Sequence, residues 1–194
     1  MRAAAASAAA AAAAFCLTAA QALENGVART PPLGWSTWET CGDTNCTKDV
    51  CTEGEVKASA DAMVRSGLLA TGWNYVVLDD CWAARERNAR DDSITWNRAR
   101  FPSGIPALAT WLHARHFRLG LYTSAGRTTC HVGLPGSEGH YEQDAATFAA
   151  WGVDYVKFDW CGDSRYEPWT GKAAHVRFAS ALNATGRPIA LVGD

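Results

Sequence analysis

Tyr75-Val76-Val77-Leu78-Asp79-Asp80-Cys81 and Tyr155-Val156-Lys157-Phe158-Asp159-Trp160-Cys161 share one pattern. Each is a short β-branched and aromatic run that ends in Asp, with a Cys two residues further on. Such runs predict buried strands. Working outward, residues 118–122 and 188–192 have the same character, and residues 33–38 supply an opening strand. Helical periodicity fills the intervals. Thr52-x-x-Glu55 is a capping box, and Val56, Ala60, Met63, Val64 and Leu68 then share one helix face. Ile105, Leu108, Ala109 and Leu112 form a second face. Residues 141–151 stop at Gly152, and residues 173–182 stop near Gly186. Five strands alternating with four helices predict a parallel sheet in an α/β fold.

In such a fold the carboxyl ends of the strands face the active site. Asp79, Asp80 and Asp159 sit at two matched strand ends, with Trp35, Trp82 and Lys157 nearby. Paired carboxylates serve acid, base and nucleophile roles at a glycosidic carbon. Carboxylates also accept hydrogen bonds from sugar hydroxyls, and indole faces cover the apolar side of a pyranose. Lys157, two residues before Asp159, projects to the same face and would favour an ionised Asp159. The acidic pair Asp79-Asp80 without a nearby His or a repeated acidic loop does not support a metal site, and neither a metal nor a cofactor is expected. The five histidines, at 113, 116, 131, 140 and 175, lack ligand spacing and read as surface or loop residues.

Composition agrees with a folded sugar-active domain. The 194 residues carry 18 Lys+Arg against 20 Asp+Glu, so nucleic acid is not an expected partner. Hydrophobic residues make up 48% of the chain, and nine Trp supply stacking surfaces. Met1-Arg2, the apolar run 3–17 and Ala20-Gln21-Ala22 match the three parts of a secretory signal peptide over residues 1–22. That run is too short to span a membrane, which takes about 20 apolar residues. Residues 23–194 form the expected domain. Its six cysteines, Cys41, Cys46, Cys51, Cys81, Cys130 and Cys161, predict three disulfides whose pairing the residues alone leave open. Sequons at Asn45 and Asn183 fit export, Asn183 being the stronger glycosylation candidate. The expected location is the secretory pathway, extracellular or lysosomal/vacuolar.

Residues 23–186 resemble the amino-terminal half of a family 27 glycoside hydrolase, the α-galactosidases and α-N-acetylgalactosaminidases. The motifs that carry the resemblance are Asn25-Gly26-Val27-Ala28-Arg29-Thr30-Pro31-Pro32-Leu33-Gly34-Trp35, Leu78-Asp79-Asp80-Cys81-Trp82, Arg100-Phe101-Pro102-Ser103-Gly104-Ile105, Leu119-Gly120-Leu121-Tyr122 and Tyr155-Val156-Lys157-Phe158-Asp159-x-Cys161. The resemblance implies a (β/α)8 TIM-barrel type of fold, truncated to about five strands and four helices. It implies a retaining mechanism with Asp159 as nucleophile. Trp35, Asp79, Asp80, Tyr122 and Lys157 would contact the galactosyl unit, with Cys130 and Cys161 paired on the pocket floor. The remaining implied pairs are Cys41–Cys81 and Cys46–Cys51.

A complete eightfold barrel takes about 250 residues. In the family the acid/base Asp lies beyond the fifth strand, so it is expected to be absent from this chain, and neither Asp163, Glu167 nor Asp194 is assigned to that role. The expected partner is an α-galactoside oligosaccharide or glycoconjugate. An open half-barrel would also self-associate through its unprotected edges. Two alternatives stand beside the α-galactosidase reading: an α-N-acetylgalactosaminidase and a non-catalytic galactose-binding fragment. The absence of a G-x-S-x-G elbow argues against a serine α/β-hydrolase.

Overall fold

A computed structural model describes residues 25–41, 49–130, 133–161 and 171–193. Five strands form one all-parallel sheet: β1 (Gly34–Ser36), β2 (Tyr75–Leu78), β3 (Arg118–Ser124), β4 (Tyr155–Asp159) and β5 (Ala190–Gly193). Their spatial order is their chain order. A doubly wound sheet would reverse direction at a switch point, whereas unbroken sequential order is the arrangement of a (β/α)8 barrel wall. Four helices make the crossovers: α2 (Glu53–Arg65), α3 (Ile105–His113), α4 (Tyr141–Ala150) and α5 (Gly171–Ala184). A one-turn helix, α1 (Thr37–Cys41), follows β1 directly. The predicted strand 33–38 is therefore shorter, its last residues turning into this helix.

Strand alternation divides the sheet into two faces. Val76, Leu78, Leu119, Leu121, Val156 and Phe158 are fully buried and belong to the main hydrophobic core with Leu108, Leu112, Phe148 and Phe178 of the helices. Phe158 stacks on Phe178 at 4.5 Å, and Trp82 meets Phe148 and Trp151 edge-on. The other face carries Tyr75, Val77, Gly120, Tyr122, Tyr155, Lys157 and Asp159, the would-be barrel interior. Here register requires Gly120, which pairs with Val77 on one side and Tyr155 on the other. A Cβ at Gly120 would lie 2.8 Å from atoms of both side chains.

Helix α2 begins as predicted, Thr52 Oγ1 accepting the Glu55 amide hydrogen at 3.3 Å. Its buried face is Val56, Ala60 and Met63; Leu68 lies beyond the helix end at Arg65 and is 39% exposed, while Val64, inside the helix, is 48% exposed and off that face. Helix α3 buries its predicted set, Ile105, Leu108, Ala109 and Leu112. Helices α4 and α5 are followed by Gly152 (φ 81°) and Gly186 (φ 72°), both left-handed.

His113 is a surface residue as expected, whereas His175 is half-buried on a helix. His113 lies on α3 and bonds Asp154 Oδ2 at 2.7 Å, while His175 on α5 reaches the Phe158 carbonyl at 3.1 Å. Among the described residues, no helix is long and apolar enough to cross a membrane. The expected signal segment, Cys46, the Asn45 sequon, His131, Asp163, Glu167 and Asp194 lie outside the described residues.

Candidate active site

The carboxyl ends of β1 to β4 converge. Asp79 follows β2 and is fixed at three points. Its amide hydrogen goes to Thr37 Oγ1 at 2.9 Å, joining the ends of β1 and β2. Its Oδ1 accepts the Asp80 amide hydrogen at 2.8 Å, and its Oδ2 accepts from the Lys157 ammonium at 3.2 Å. Asp79 and Asp80 are both buried. Burial pushes the Asp79 carboxyl above the usual 3.8, the Asp80 amide and the Lys157 cation offsetting this only in part.

Asp159 is the last residue of β4 and sits opposite Ser124 in the β3–β4 register. Its Oδ1 accepts the Trp160 amide hydrogen at 3.0 Å, and its Oδ2 accepts the Tyr122 phenol hydrogen at 3.1 Å. The Cys130 amide in turn donates to the Tyr122 oxygen at 3.4 Å. Burial, and then the carboxylates of Asp159 and Asp80, hold the Tyr122 phenol far above its ordinary 10.0, so it remains a proton donor to Asp159.

Lys157 links the two halves of the site. Register places it opposite Tyr122, and its ammonium lies 5.4 Å from the Tyr122 ring centroid as well as on Asp79. It lies 5.6 Å from the ring of Trp38, an exposed indole on α1. Sequence reasoning passed over Trp38. The signal was available in its spacing, three residues after Trp35, which on a helical turn after β1 puts it above the sheet end. Trp35 itself is half-buried, packed against the core, with its indole N–H on Thr40 Oγ1 at 2.7 Å. Trp82 is not among the indoles of the site. It is a core residue, 1% exposed, whose indole N–H bonds the Tyr122 carbonyl at 2.9 Å.

Cys130 and Cys161 are joined in a disulfide, with Cα atoms 5.1 Å apart, and Cys130 Sγ lies 3.2 Å from Asp159 Oδ2. Donor atoms of Cys130, Asp159 and Cys161 fall within 4.8 Å of one another, but sulfurs bonded to each other are not thiolate ligands. The second disulfide departs from the implied pairing. Cys81 is bonded to Cys51, not Cys41, with Cα atoms 6.2 Å apart, within the span a disulfide bridges. Cys51 immediately precedes the α2 cap, and burial of Cys51 beside the end of β2 brings the two together.

The Melibiase_2 family, described as alpha galactosidase A, matches residues 30–194. The chain belongs to this family. An α-galactosidase of Cyamopsis tetragonoloba is 45% identical over 173 residues, covering 86% of this chain and 38% of that protein. An α-N-acetylgalactosaminidase of Gallus gallus is 44% identical, covering 86% of this chain and 41% of that protein. The crystal structure of α-galactosidase I from Mortierella vinacea superposes with a TM-score of 0.77 at 35% identity, covering 88% of this chain and 42% of that one. The chain thus spans well under half the length of these melibiase relatives. Its five-stranded parallel sheet is a segment of their (β/α)8 barrel.

Proposed function

We propose that this chain carries the galactosyl-binding and nucleophile half of a retaining α-galactosidase, acting on terminal α-D-galactosyl residues of oligosaccharides or glycoconjugates. One observation carries the reading: Asp159 stands at a strand end with one oxygen on a phenol that stays protonated, beside a lysine held by a buried Asp79. Asp79, Asp80, Lys157, Tyr122 and Trp35 are the proposed galactose contacts, and the Cys130–Cys161 disulfide forms the floor.

Asp159 attacks the anomeric carbon, forming the glycosyl ester as the bond to the leaving oxygen breaks. A second carboxylic acid gives that oxygen its proton and then draws a proton from the attacking water. In retaining enzymes the two carboxyls stand about 5–5.5 Å apart. Among the described residues no carboxyl is assigned to this second role. A galactose-binding chain without turnover is the alternative reading, and the labelling below separates the two. The names of the relatives include both α-galactosidase and α-N-acetylgalactosaminidase, so the group at the sugar's second carbon is left open.

The test is labelling with a 2-fluorogalactosyl fluoride, whose leaving group needs no acid. A mass gain on the peptide containing Asp159, abolished by Asp159→Asn, is expected. A label on another peptide, or none while galactose still binds, refutes the assignment.

Three further proposals follow from the sequence. Residues 1–22 direct the chain into the secretory pathway, and the two disulfides support an oxidising destination. Asn183, exposed near the end of α5, carries a glycan. Strands β1 and β5 each have one neighbour among the described residues, and these edges support self-association, measurable by sedimentation.

A further inference from the structure

At the end of the sheet opposite Asp159, a cavity of about 400 Å³ opens where β1, β2 and β3 begin. Small-molecule sites span about 300–1,000 Å³, so the volume suits a small ligand. One wall is the segment that leads into β1, from Gly26 to Leu33. The other is made by Asn74, by Tyr75 at the start of β2 and by Arg118 at the start of β3.

Bonds within the protein hold both walls. Asn25 Nδ2 donates to the Ile189 carbonyl at 2.8 Å, just before β5, and Asn25 Oδ1 accepts the Val27 amide hydrogen at 3.3 Å. At the far end of the segment the Leu33 carbonyl accepts the Asn74 and Tyr75 amide hydrogens, each at 3.0 Å. The next residue, Gly34, has to lack a side chain, since a Cβ would strike the Tyr75 carbonyl oxygen. The Arg118 amide then ties β3 to the Asn74 carbonyl at 2.8 Å. The cavity is thus built into the strand starts and exists before any ligand arrives.

Its charged side chains are both cations. Arg118 gives one guanidinium N–H to the Tyr75 phenol oxygen at 2.7 Å and has no carboxylate partner among the described residues. The Arg29 guanidinium has neither a hydrogen bond nor an ion pair among them. Asn74 is half-buried, and its side-chain amide is likewise without a partner among the described residues. No Asp or Glu lines the cavity, and arginine keeps its charge at every ordinary pH. Pro31, Pro32 and Leu33 give the first wall an apolar stretch, Leu33 being 43% exposed.

Two guanidinia exceed the single charge of a carboxylate. A phosphate monoester carries close to two charges at neutral pH on three terminal oxygens, and the guanidinium fork matches that group. We propose that this cavity binds a small organic phosphate monoester, its phosphoryl group held by Arg29, Arg118 and Asn74 and its organic part on the proline wall. The site is separate from Asp159 and its neighbours and does not depend on their reading as a galactosyl site.

Calorimetric titration of the full chain tests it with phenyl phosphate, inorganic phosphate and benzoate. Phenyl phosphate is expected to saturate one site and to bind about tenfold more tightly than either of the others. Arg29→Gln and Arg118→Gln should each weaken it by about tenfold, the loss of a hydrogen-bonded charge. Arg29 bonds nothing among the described residues, so Arg29→Gln keeps the fold and decides the matter even where Arg118→Gln, which gives up the Tyr75 contact, unfolds. Equal affinity for inorganic phosphate shows a bare-anion site, and equal affinity for benzoate a general anion site. Either result, no binding of phenyl phosphate, or binding undiminished in Arg29→Gln overturns the proposal.

Discussion

Replacing Arg87 by Met isolates the most deeply placed ion pair among the described residues. The guanidinium contacts Asp144 Oδ1 at 2.8 Å and Oδ2 at 2.7 Å, with side-chain exposures of 10% and 0%. Removing one partner of a buried pair leaves an uncompensated charge and costs about 3–5 kcal/mol. Two carbonyl acceptors, of Gly136 and Asp92, lose their donor as well, each worth about 1 kcal/mol. For a chain of this size about 2–4 °C accompanies each kcal/mol, so the combined loss of about 5–7 kcal/mol should lower Tm by about 10–28 °C. Asp144→Asn should cost a comparable amount, since it strands the guanidinium. The double variant Arg87→Met/Asp144→Asn should cost clearly less than the two singles together, because neither charge is then left alone. Urea unfolding followed by tryptophan fluorescence supplies the three free energies. An Arg87→Met variant within about 1 kcal/mol of the parent, or strictly additive singles, would refute the reasoning.

Tyr122→Phe should leave the fold intact but weaken galactose binding by about tenfold, since Asp159 loses the phenol at 3.1 Å; unchanged affinity by calorimetry contradicts the site geometry. Gly120→Val should destabilise by about 1–3 kcal/mol or prevent folding, through collision with Val77 and Tyr155; a normal urea midpoint would show the interior layer is looser than described. Asp79 has a raised carboxyl, so its contribution to stability is complete below its unfolded value of 3.8 and declines as pH rises through the higher folded value. Asp79→Asn should therefore flatten the fall in unfolding free energy on that acid flank, and an identical slope in the variant would count against the assignment.

Much of the sheet was legible because its strands are locally coded. Tyr75–Leu78 and Tyr155–Asp159 announce themselves by composition, and their matched Asp residues point at the site before any packing is known. Features that depend on distant partners were not legible. Nothing near Asp144 indicates that its partner, Arg87, lies 57 residues away. Trp82 sits beside two acidic residues yet turns into the core, a choice made by Phe148 and Trp151. Cys81 had several candidate partners at similar spacing, and only the placement of the α2 entry selects Cys51. Leu68 continued a helical pattern on paper, but Ser66 caps the helix and Gly67 turns left-handed at φ 80°.

The bond between Lys157 and Asp79 spans 78 residues of chain, and that between Thr37 and Asp79 spans 42. No short piece of this polypeptide can assemble the candidate site, since four strands must dock before its walls meet. Non-local closures of this kind come late, after their entropy has been met by the strands between them. Binding at the proposed galactosyl site would therefore report on completed folding. A ligand at a hundred times its dissociation constant would hold the whole sheet together by about 2.7 kcal/mol.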